Sequence, residues 1–327
     1  MKVILIGAGT ITAKHAAGLK KIPEVKVTAV CDLNRSAAEK IAAETGGLVY
    51  TEYNDALQKT DADIALVCLP HGLHCEAGLA ALNSGRHLFM EKPLANTAGE
   101  CLKLLKAAKK NKRKIFTGHT HQYRSVVMKA RELIDKGELG QVRMIMTEVI
   151  AYYNWETRKP WFLDPKLSGG GALFNTAPHQ ADHLLYLGGA VRRVFGAVES
   201  LRPGQSIDSD SIAMVEYKNG ARGLLVTLQG TKMEEPARLK VRVLGDKGSL
   251  QFNPFGNELE IAHLDKMDKI ITEDTDPMTA EWIEFISSIK ENRPARTGGE
   301  YGLKVVELLE AFRDSSCKHG FVELKNR

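Results

Sequence analysis

Short apolar runs alternate with helical stretches at the start of the chain, and this alternation restricts the fold more than any other feature. Strands are predicted at 2–6, 25–31, 48–50, 63–69, 87–90 and 114–118. Helices are predicted between them, near 10–21, 35–44, 52–59, 73–84 and 97–110. Short β-branched strands separated by helices form parallel sheets with right-handed crossovers, so we expect a doubly wound parallel sheet of the Rossmann type.

The first predicted turn carries the glycines that a bound dinucleotide requires. Gly7 and Gly9 stand in the run GAGTIT, directly after the first strand and at the start of the first helix. The first glycine permits a tight turn, and the second lets a pyrophosphate approach the helix N-terminus. We therefore expect Gly7, Gly9, Thr10 and Ile11 to contact the cofactor. The third motif position holds Thr12, where glycine or alanine is usual.

A carboxylate at the end of the second strand indicates which dinucleotide is bound. Asp32 follows Gly9 by 23 residues, and an acid at this point accepts hydrogen bonds from the adenosine ribose and repels a 2′-phosphate. This combination favours NAD. Arg35 keeps NADP open, because an arginine just past the strand can bind a 2′-phosphate; its alternative is a solvated residue in the first helical turn.

Residues at the carboxyl ends of the fourth and fifth strands should border the cofactor cleft, as ligands do in open α/β sheets. The runs CLPHGLH and HLFMEKP place six candidates there: Leu69, Pro70, His71, His74, Glu91 and Lys92. The two histidines, three residues apart, are half of a possible metal site. Neither a cysteine nor a carboxylate accompanies them at ligand spacing, so we predict no metal.

The pattern changes after residue 120. A helix near 123–136 is followed by strands at 141–153, 191–201, 210–217, 223–230, 239–245, 249–253 and 258–264, and then by helices near 278–290 and 300–318. Several strands alternate apolar and polar residues, which predicts a large, mostly antiparallel sheet with helices on one face. The 327 residues thus divide into a Rossmann domain, 1–120, and an α+β domain, 121–327, whose last helices could pack back on the first.

One segment of the second half combines glycines with histidines. In GGGALFNTAPHQADH the three glycines allow a close approach of the backbone, and a helix is predicted from Ala172. At 3.6 residues per turn Asn175, His179 and His183 share one helical face, with Asp182 beside them. A third metal ligand and the HExxH glutamate are missing, so a metal is not predicted here either. The alternative is a buried helix whose histidines are satisfied by hydrogen bonds.

Four segments together resemble the Gfo/Idh/MocA oxidoreductases: the glycine turn, VCLPHGLH, EKP and GGGALFNTAPHQAD. The resemblance extends over essentially the whole chain. It implies an NAD(P)-dependent dehydrogenase or reductase acting on a sugar, cyclitol or related polyol, with Lys92 and His179 carrying the chemistry. It also implies a substrate-binding second domain whose sheet forms a homodimer or homotetramer. Asn175 replaces the aspartate common in the cyclitol branch, and His71 stands where asparagine is frequent.

The two expected catalytic residues suit alcohol oxidation. Histidine accepts a proton near neutral pH, so His179 is assigned as the base. The Lys92 ammonium would stabilise negative charge on the reacting oxygen, while the cofactor takes the hydride. Substrate contacts are expected from Lys92, Tyr123, Trp161, Asn175 and His179. Further candidates for the sugar site are Arg124, Tyr152, Trp155 and Arg158.

Two other functions stay open from sequence. One is a glycoside hydrolase that keeps NAD bound and oxidises its substrate transiently; the other is a non-catalytic NAD-binding regulator. The net charge of +5 is too small to indicate nucleic-acid binding. The five cysteines lack a CxxC spacing, and the N-terminal apolar run is too short for a signal sequence or membrane span. A cytoplasmic protein with reduced thiols is therefore expected.

Overall fold

The computed structural model describes residues 1–201, 204, 206–230, 232 and 237–324. The chain divides into two compact units: residues 1–120 with 276–306, and residues 121–275 with 307–327. Residues 276–306 therefore belong to the first unit, although they follow the second sheet in the chain. The sequence pattern had suggested one boundary, near residue 120, and left open that the last helices pack back on the first domain, because hydrophobic periodicity does not reveal to which unit a late helix returns.

The first unit contains the expected parallel sheet, in the order β3-β2-β1-β4-β5-β6. Its strands are β1 Lys2–Ile6, β2 Lys26–Cys31, β3 Leu48–Tyr50, β4 Ile64–Val67, β5 His87–Glu91 and β6 Ile115–Gly118. All neighbouring pairs are parallel, so the residues that follow β1, β2, β4, β5 and β6 lie at one edge. The order in which strands are added to the sheet reverses between β1 and β4, and open sheets of this order bind ligands at that point.

Helices cover this sheet. They are α1 Thr10–Leu19, α2 Arg35–Thr45, α3 Tyr53–Lys59, α4 His74–Asn83, α5 Ala98–Asn111 and, from the end of the chain, α10 Pro277–Lys290. Trp282 of α10 lies 4.4 Å from the ring of Phe89, and Phe285 lies 5.1 Å from that of Phe116. These four rings are completely buried. Each contributes roughly 1.5–3 kcal/mol by leaving water, so α10 is part of the core of this unit.

The second unit is built on a nine-stranded sheet in the order β14-β13-β12-β11-β7-β10-β9-β8-β15. The strands are β7 Val142–Ile150, β8 Val191–Glu199, β9 Asp210–Tyr217, β10 Arg222–Leu228, β11 Arg238–Gly245, β12 Ser249–Phe252, β13 Glu258–His263, β14 Lys266–Ile271 and β15 Val322–Glu323. Only β7 and β10 pair in parallel among these strands. Burial alternates along β7 and β10, as expected for a sheet with one covered face.

The remaining helices of the second unit are α6 Ser125–Asp135, α7 Pro165–Ser168, α8 Ala172–Asn175 and α9 Ala177–Gly188. Helix α11, Gly299–Lys318, begins in the first unit and ends in the second. Helix α9 packs on β7 and β10. Among the described residues, no helix is both long enough and apolar enough to span a membrane.

The sequence prediction of one helix from Ala172 through His183 was wrong. The structure has two helices, because α8 ends at Asn175 and α9 starts at Ala177 with proline at its second position. Pro178 lacks an amide hydrogen and its ring would clash with the carbonyl four residues earlier, so one continuous helix is excluded. His179 and His183 still share a face of α9, but Asn175 lies outside that helix.

Candidate functional site

The glycine turn has the geometry of a phosphate-binding loop. Gly7 has φ +92°, and a Cβ on it would lie 2.3 Å from the carbonyl oxygen of Cys68, so no other residue fits without moving that strand end. A Cβ on Gly9, by contrast, would meet no atom within 4 Å. Helix α1 begins directly afterwards, at Thr10, and directs its first amides toward this open space.

Asp32 connects the end of β2 to the glycine turn. One carboxylate oxygen accepts a hydrogen bond from the amide of Ala8 at 2.7 Å, and the other accepts one from the amide of Asn34 at 2.8 Å. The acid is therefore held beside the turn. Arg35 is exposed and donates to Glu39 at 3.0 Å, one helical turn further along α2. Its partner is thus a surface carboxylate in this structure.

His74 does not present its ring to a cofactor as the sequence analysis expected. The side chain is completely buried, with Nδ1 2.8 Å from the carbonyl oxygen of Pro93 and Nε2 2.9 Å from that of Leu69. Burial lowers the pKa of His74, although both carbonyls favour a protonated ring. The ring therefore links the segments that follow β4 and β5. Leu69 and Pro70 remain partly exposed at the sheet edge, while His71 is nearly buried and packs edge-on against His74.

Glu91 also differs from the expectation of a cofactor contact, because its side chain faces the interior. Its carboxylate lies 2.9 Å from His15 Nε2 and accepts a hydrogen bond from the backbone amide of Lys92 at 3.1 Å. Lys92 follows at the carboxyl end of β5 and is partly exposed. Burial lowers the pKa of the Lys92 amine, and the charge of Glu91 acts in the opposite direction.

Three histidine rings lie together in the second unit. His121 stacks on His179 with ring centroids 4.1 Å apart and planes 12° from parallel. His121 also contacts His183, through a hydrogen bond of 3.3 Å between His121 Nδ1 and His183 Nε2. Burial lowers the pKa of His183 to about 3, so this ring is neutral at physiological pH. The three rings line a cavity of about 70 Å³ together with Phe255 and Glu148.

Asn175 contacts a tyrosine that the sequence analysis had not singled out. Its amide nitrogen donates to the hydroxyl of Tyr153 at 2.7 Å. The guanidinium of Arg158 lies 3.4 Å from the centroid of the Tyr153 ring, and Trp155 packs against the ring at 4.6 Å. Burial raises the pKa of Tyr153. Asn175 and Arg158, which are both candidates for the sugar site, therefore contact the same tyrosine, Tyr153.

The other candidates for the sugar site differ in exposure. Tyr123 and Trp155 are buried, and the Trp155 indole donates to the carbonyl of Gln229 at 3.3 Å, so these rings are structural in this unit. Tyr152 is 39% exposed, and Trp161 is partly exposed with its ring stacked 3.7 Å from that of Phe162. The guanidinium of Arg124 lies over the ring of Phe255 at 4.5 Å.

The glycines before α8 are explained by another part of the chain. A Cβ on Gly171 would overlap the backbone of Asp208, whose carbonyl accepts from the amide of Ala172. The Asp208 carboxylate accepts hydrogen bonds from the amides of Gly171 and Leu173 at 2.7 and 2.6 Å. It therefore satisfies the free amides at the start of α8. The close approach predicted from these glycines is thus to Asp208.

Sequence reasoning missed His15, His121, Tyr153, Asp208 and Phe255. A local signal existed for only two of them. His121 lies directly after β6, at the same strand-end position as the candidates that were selected, and Tyr153 adjoins the selected Tyr152. The partners of His15, Asp208 and Phe255 are distant in sequence, and hydrophobic periodicity carries no information about such pairs.

Comparison with known proteins identifies both parts of the chain. Residues 1–119 match the family model described as the Gfo/Idh/MocA oxidoreductase family, NAD-binding Rossmann fold. Residues 127–251 match the Gfo/Idh/MocA C-terminal domain. The two matched segments follow each other in the order of that family and together include most of the chain.

Two relatives of known name are similar to this chain over different shares of its length. Inositol 2-dehydrogenase of Salmonella typhimurium is 30% identical over 193 residues, which are 57% of this chain and 54% of that protein. The chain thus aligns with about half the length of this relative. D-glucoside 3-dehydrogenase of Escherichia coli is 25% identical over 280 residues, 78% of this chain and 77% of that protein.

Solved structures agree on the fold. Levoglucosan dehydrogenase in complex with NADH superposes with a TM-score of 0.92, at 20% identity and with complete coverage of both chains. An oxidoreductase domain protein from Kribbella flavida gives a TM-score of 0.89 at 23% identity, over 99% of each chain. With the glycine turn, the parallel sheet and the matches to both domains in place, the chain belongs to the Gfo/Idh/MocA family of oxidoreductases.

Proposed function

We propose that this protein transfers hydride between NAD and a hydroxyl-bearing carbon of a sugar, cyclitol or related polyol. Membership of the oxidoreductase family supports the reaction class, and the dehydrogenases of inositol and of glucosides among its relatives support the substrate class. The observation that carries the proposal is Lys92, a partly exposed amine at the ligand-binding edge of a Rossmann sheet with a buried carboxylate beside it.

The cofactor site is assigned to the glycine turn. Gly7 and Gly9 leave room for the pyrophosphate, and the amides that begin α1 at Thr10 and Ile11 provide donors for it. Asp32, held beside this turn, suits the ribose of NAD and repels a 2′-phosphate. When bound, the nicotinamide accepts or returns the hydride. The residues of this chain position it and control the protons.

Lys92 is assigned to the charge that develops on oxygen. As hydride leaves an alcohol carbon, its oxygen becomes alkoxide-like, and an ammonium group stabilises that oxygen more than the neutral hydroxyl. The neighbouring Glu91 carboxylate keeps this role possible, because its charge opposes the effect of burial on the amine. Burial and the Glu91 carboxylate thus act in opposite directions on the pKa of Lys92, and the proposed role requires the ammonium form.

His179 is assigned as the group that takes the hydroxyl proton. The flat stack with His121 restricts rotation of its ring, and the bond from His121 to the neutral His183 restricts His121 in turn. Asn175 would orient a substrate hydroxyl; its bond to Tyr153 fixes the amide for that purpose. Trp161, which is partly exposed, and Tyr123, which is buried, complete the proposed set of substrate contacts.

The second sheet is proposed to form a homodimer or homotetramer. Phe195 of β8 and Ile212 of β9 lie on neighbouring strands and are 41% and 52% exposed. Apolar side chains on an uncovered sheet face are stabilised when a second copy buries them. The expected oligomer is symmetric, with the same face contributed by each copy.

A screen of polyols, aldoses and sugar acids with NAD and with NADP tests the proposed reaction. Substrate-dependent accumulation of NADH, followed by its absorbance, is the expected result. A hydrolase with transient oxidation would cleave a glycoside without net NADH release, and a regulator would bind NAD without turning over any compound. Either of these two results with a properly folded protein would contradict the proposed dehydrogenase.

A further inference from the structure

A chain of buried hydrogen bonds runs behind Lys92 inside the first unit. The indole nitrogen of Trp282 donates to His15 Nδ1 at 3.0 Å, and His15 Nε2 lies 2.9 Å from a carboxylate oxygen of Glu91. The other oxygen of Glu91 accepts from the Lys92 amide at 3.1 Å. His15 and Trp282 are completely buried, and 267 residues separate them in sequence.

The direction of each bond in this chain follows from the indole. An indole nitrogen only donates, so Nδ1 of His15 must accept, and the hydrogen of the neutral ring must be on Nε2. That hydrogen points at Glu91, which consequently accepts from His15 and from the Lys92 amide. Burial by itself would raise the pKa of Glu91, but the bond from His15 and the charge of Lys92 hold it below its usual value.

Glu281 lies against the opposite edge of the same ring. Its carboxyl oxygen is 3.8 Å from His15 Nδ1, and burial together with the charge of Glu91 raises its pKa well above the usual value. One histidine and two glutamates within this distance could hold a metal ion. The two carboxyl groups, however, face different nitrogens of one ring, and both nitrogens already have partners. Hydrogen bonds therefore join Trp282, His15 and Glu91, whereas neither carboxyl oxygen of Glu281 has a hydrogen-bond partner among the described residues.

We propose that His15, oriented by Trp282, is a positioning residue that keeps Glu91 ionised and bonded to the Lys92 amide, and thereby holds the backbone from which the Lys92 side chain extends and favours the charged form of that side chain. The inference rests on the proposed role of Lys92 in the reaction. Its physical basis is that burial disfavours the charged form of Lys92, whereas the negative charge of the adjacent Glu91 favours it.

The ionisation of Glu91 is influenced by other groups of the same unit. The titratable groups that interact with it come from every segment packed around it: His15 of α1, Cys68 after β4, His74 of α4, Lys92, His119 after β6 and Glu281 of α10. Of these, His15 donates a side-chain hydrogen bond to it. Removing that bond should therefore raise the pKa of Glu91 and weaken its hold on Lys92.

The experiment measures the charge of Lys92 directly. In wild type, His15→Phe, His15→Gln and Trp282→Phe, the rate of amine modification at Lys92 is followed against pH by peptide mass spectrometry. We expect His15→Phe to lower the midpoint of the Lys92 modification curve by about one pH unit, which corresponds to a tenfold change in the protonation equilibrium of the amine. His15→Gln should restore the wild-type midpoint, because glutamine offers an N–H to Glu91 and an oxygen to Trp282. Trp282→Phe should give a smaller shift in the same direction.

Turnover and NAD affinity of the same variants separate positioning from damage to the fold. His15→Phe should lower turnover about tenfold, with little change in NAD affinity. The alkaline limb of its pH–turnover profile should shift by the same amount as the midpoint of the Lys92 modification curve. An unchanged midpoint in folded His15→Phe and Trp282→Phe, or a failure of His15→Gln to restore it, would overturn the inference. If His15→Phe does not fold, the Lys92 midpoints of Trp282→Phe and His15→Gln are sufficient to test the inference. Normal turnover in Lys92→Ala would instead refute the proposed function, whatever the midpoints show.

Discussion

The imidazoles of His121 and His179 lie face to face, 4.1 Å apart and 12° from parallel. Two stacked rings of this kind cannot both carry a charge without strong repulsion, so at most one is protonated at a time. His121 is further fixed by its bond to His183, which burial keeps neutral. The stack with His121 thus restricts the orientation of the His179 ring.

Replacing His121 should therefore affect turnover through His179. His121→Ala removes the face on which His179 rests, and we expect turnover to fall by about 10²-fold, as small misplacements of a reacting group can cause. His121→Phe keeps a flat ring and should lose less. Steady-state kinetics of both variants provide the measurement; equal losses would show that the flat face is irrelevant.

Loss of the Lys92 ammonium should reduce the chemical step selectively. Lys92→Ala is expected to lower turnover by about 10²–10³, which is the effect of removing one electrostatic donor from an oxyanion site. Lys92→Arg should restore little, because a planar guanidinium does not replace a compact ammonium. NAD affinity is the control, since the glycine turn and Asp32 are intact in both variants. Near-normal turnover in folded Lys92→Ala would remove Lys92 from the mechanism.

Asp32 should determine the choice between NAD and NADP. The structure gives this acid a second role, because it accepts the Ala8 amide of the glycine turn at 2.7 Å. Asp32→Asn keeps an acceptor for that amide and removes the charge, so it should weaken NAD binding modestly and improve NADP binding. Asp32→Ser should narrow or reverse the preference as well. Titration of each protein with both cofactors tests this, and tighter binding of NADP to wild type would contradict the assignment.

A methyl group on Gly118 should disturb the Glu91 network without removing any titratable group. A Cβ there would lie 2.8 Å from the Glu91 carboxylate, which its bonds to His15 and Lys92 prevent from moving freely. We expect Gly118→Ala to destabilise the protein by about 1–3 kcal/mol, as overpacking does. The matched control is Gly99→Ala in α5, where the nearest atom is 3.9 Å away and the helix should gain stability. Thermal unfolding of both variants distinguishes the two sites.

The buried His119 should make the protein sensitive to acid. Burial lowers its pKa to about 3, whereas the unfolded value is about 6.5, so below the latter the unfolded chain binds the extra proton. Stability from this group is thus present above pH ~6.5 and is lost progressively toward pH ~3, by up to about 1.4 kcal/mol per pH unit.

Substitution of His119 by phenylalanine tests that sign. Neither ring nitrogen has a hydrogen-bond partner among the described residues, and the ring packs against Tyr301 with centroids 5.6 Å apart. His119→Phe should therefore keep a buried ring and flatten the loss of stability between pH 6 and pH 4, roughly the window set by the two pKa values. Denaturant unfolding at several pH values gives the slope, and parallel slopes for both proteins would exclude His119 as the cause.

The sequence predicted well those features that depend on local pattern. The order of strands and helices in residues 1–120, the glycine turn and the position of Lys92 at a strand end all follow from periodicity and motif spacing, and the structure has them in place. Strands β14 and β15 of the second sheet were not predicted. Asn175 was placed wrongly on the helix of His179, because the pattern of apolar residues continues smoothly through the break before Pro178. A proline near a helix start and one inside a helix look alike in a single sequence.

Features that depend on distant partners were beyond the sequence. Nothing local to His15 indicates that Trp282 will donate to it, and nothing local to Gly171 indicates that Asp208 will pack on it. The pKa values of Glu91 and Lys92 also depend on contacts between distant parts of the chain, because burial and neighbouring charges shift them. The position of Lys92 at the end of a strand was therefore predictable, whereas the buried groups that surround it were not.

The assignment of residues 276–306 to the first unit has a consequence for biosynthesis. During translation the strands of the nucleotide-binding half leave the ribosome before α10. Until α10 has been made, Phe89, Phe116 and His15 lack their contacts with its Trp282 and Phe285 side chains. Domains usually complete their folding in the order of synthesis. Here the earlier half should stay incompletely packed while residues 121–275 emerge, and α10, which is synthesised after them, completes the first core.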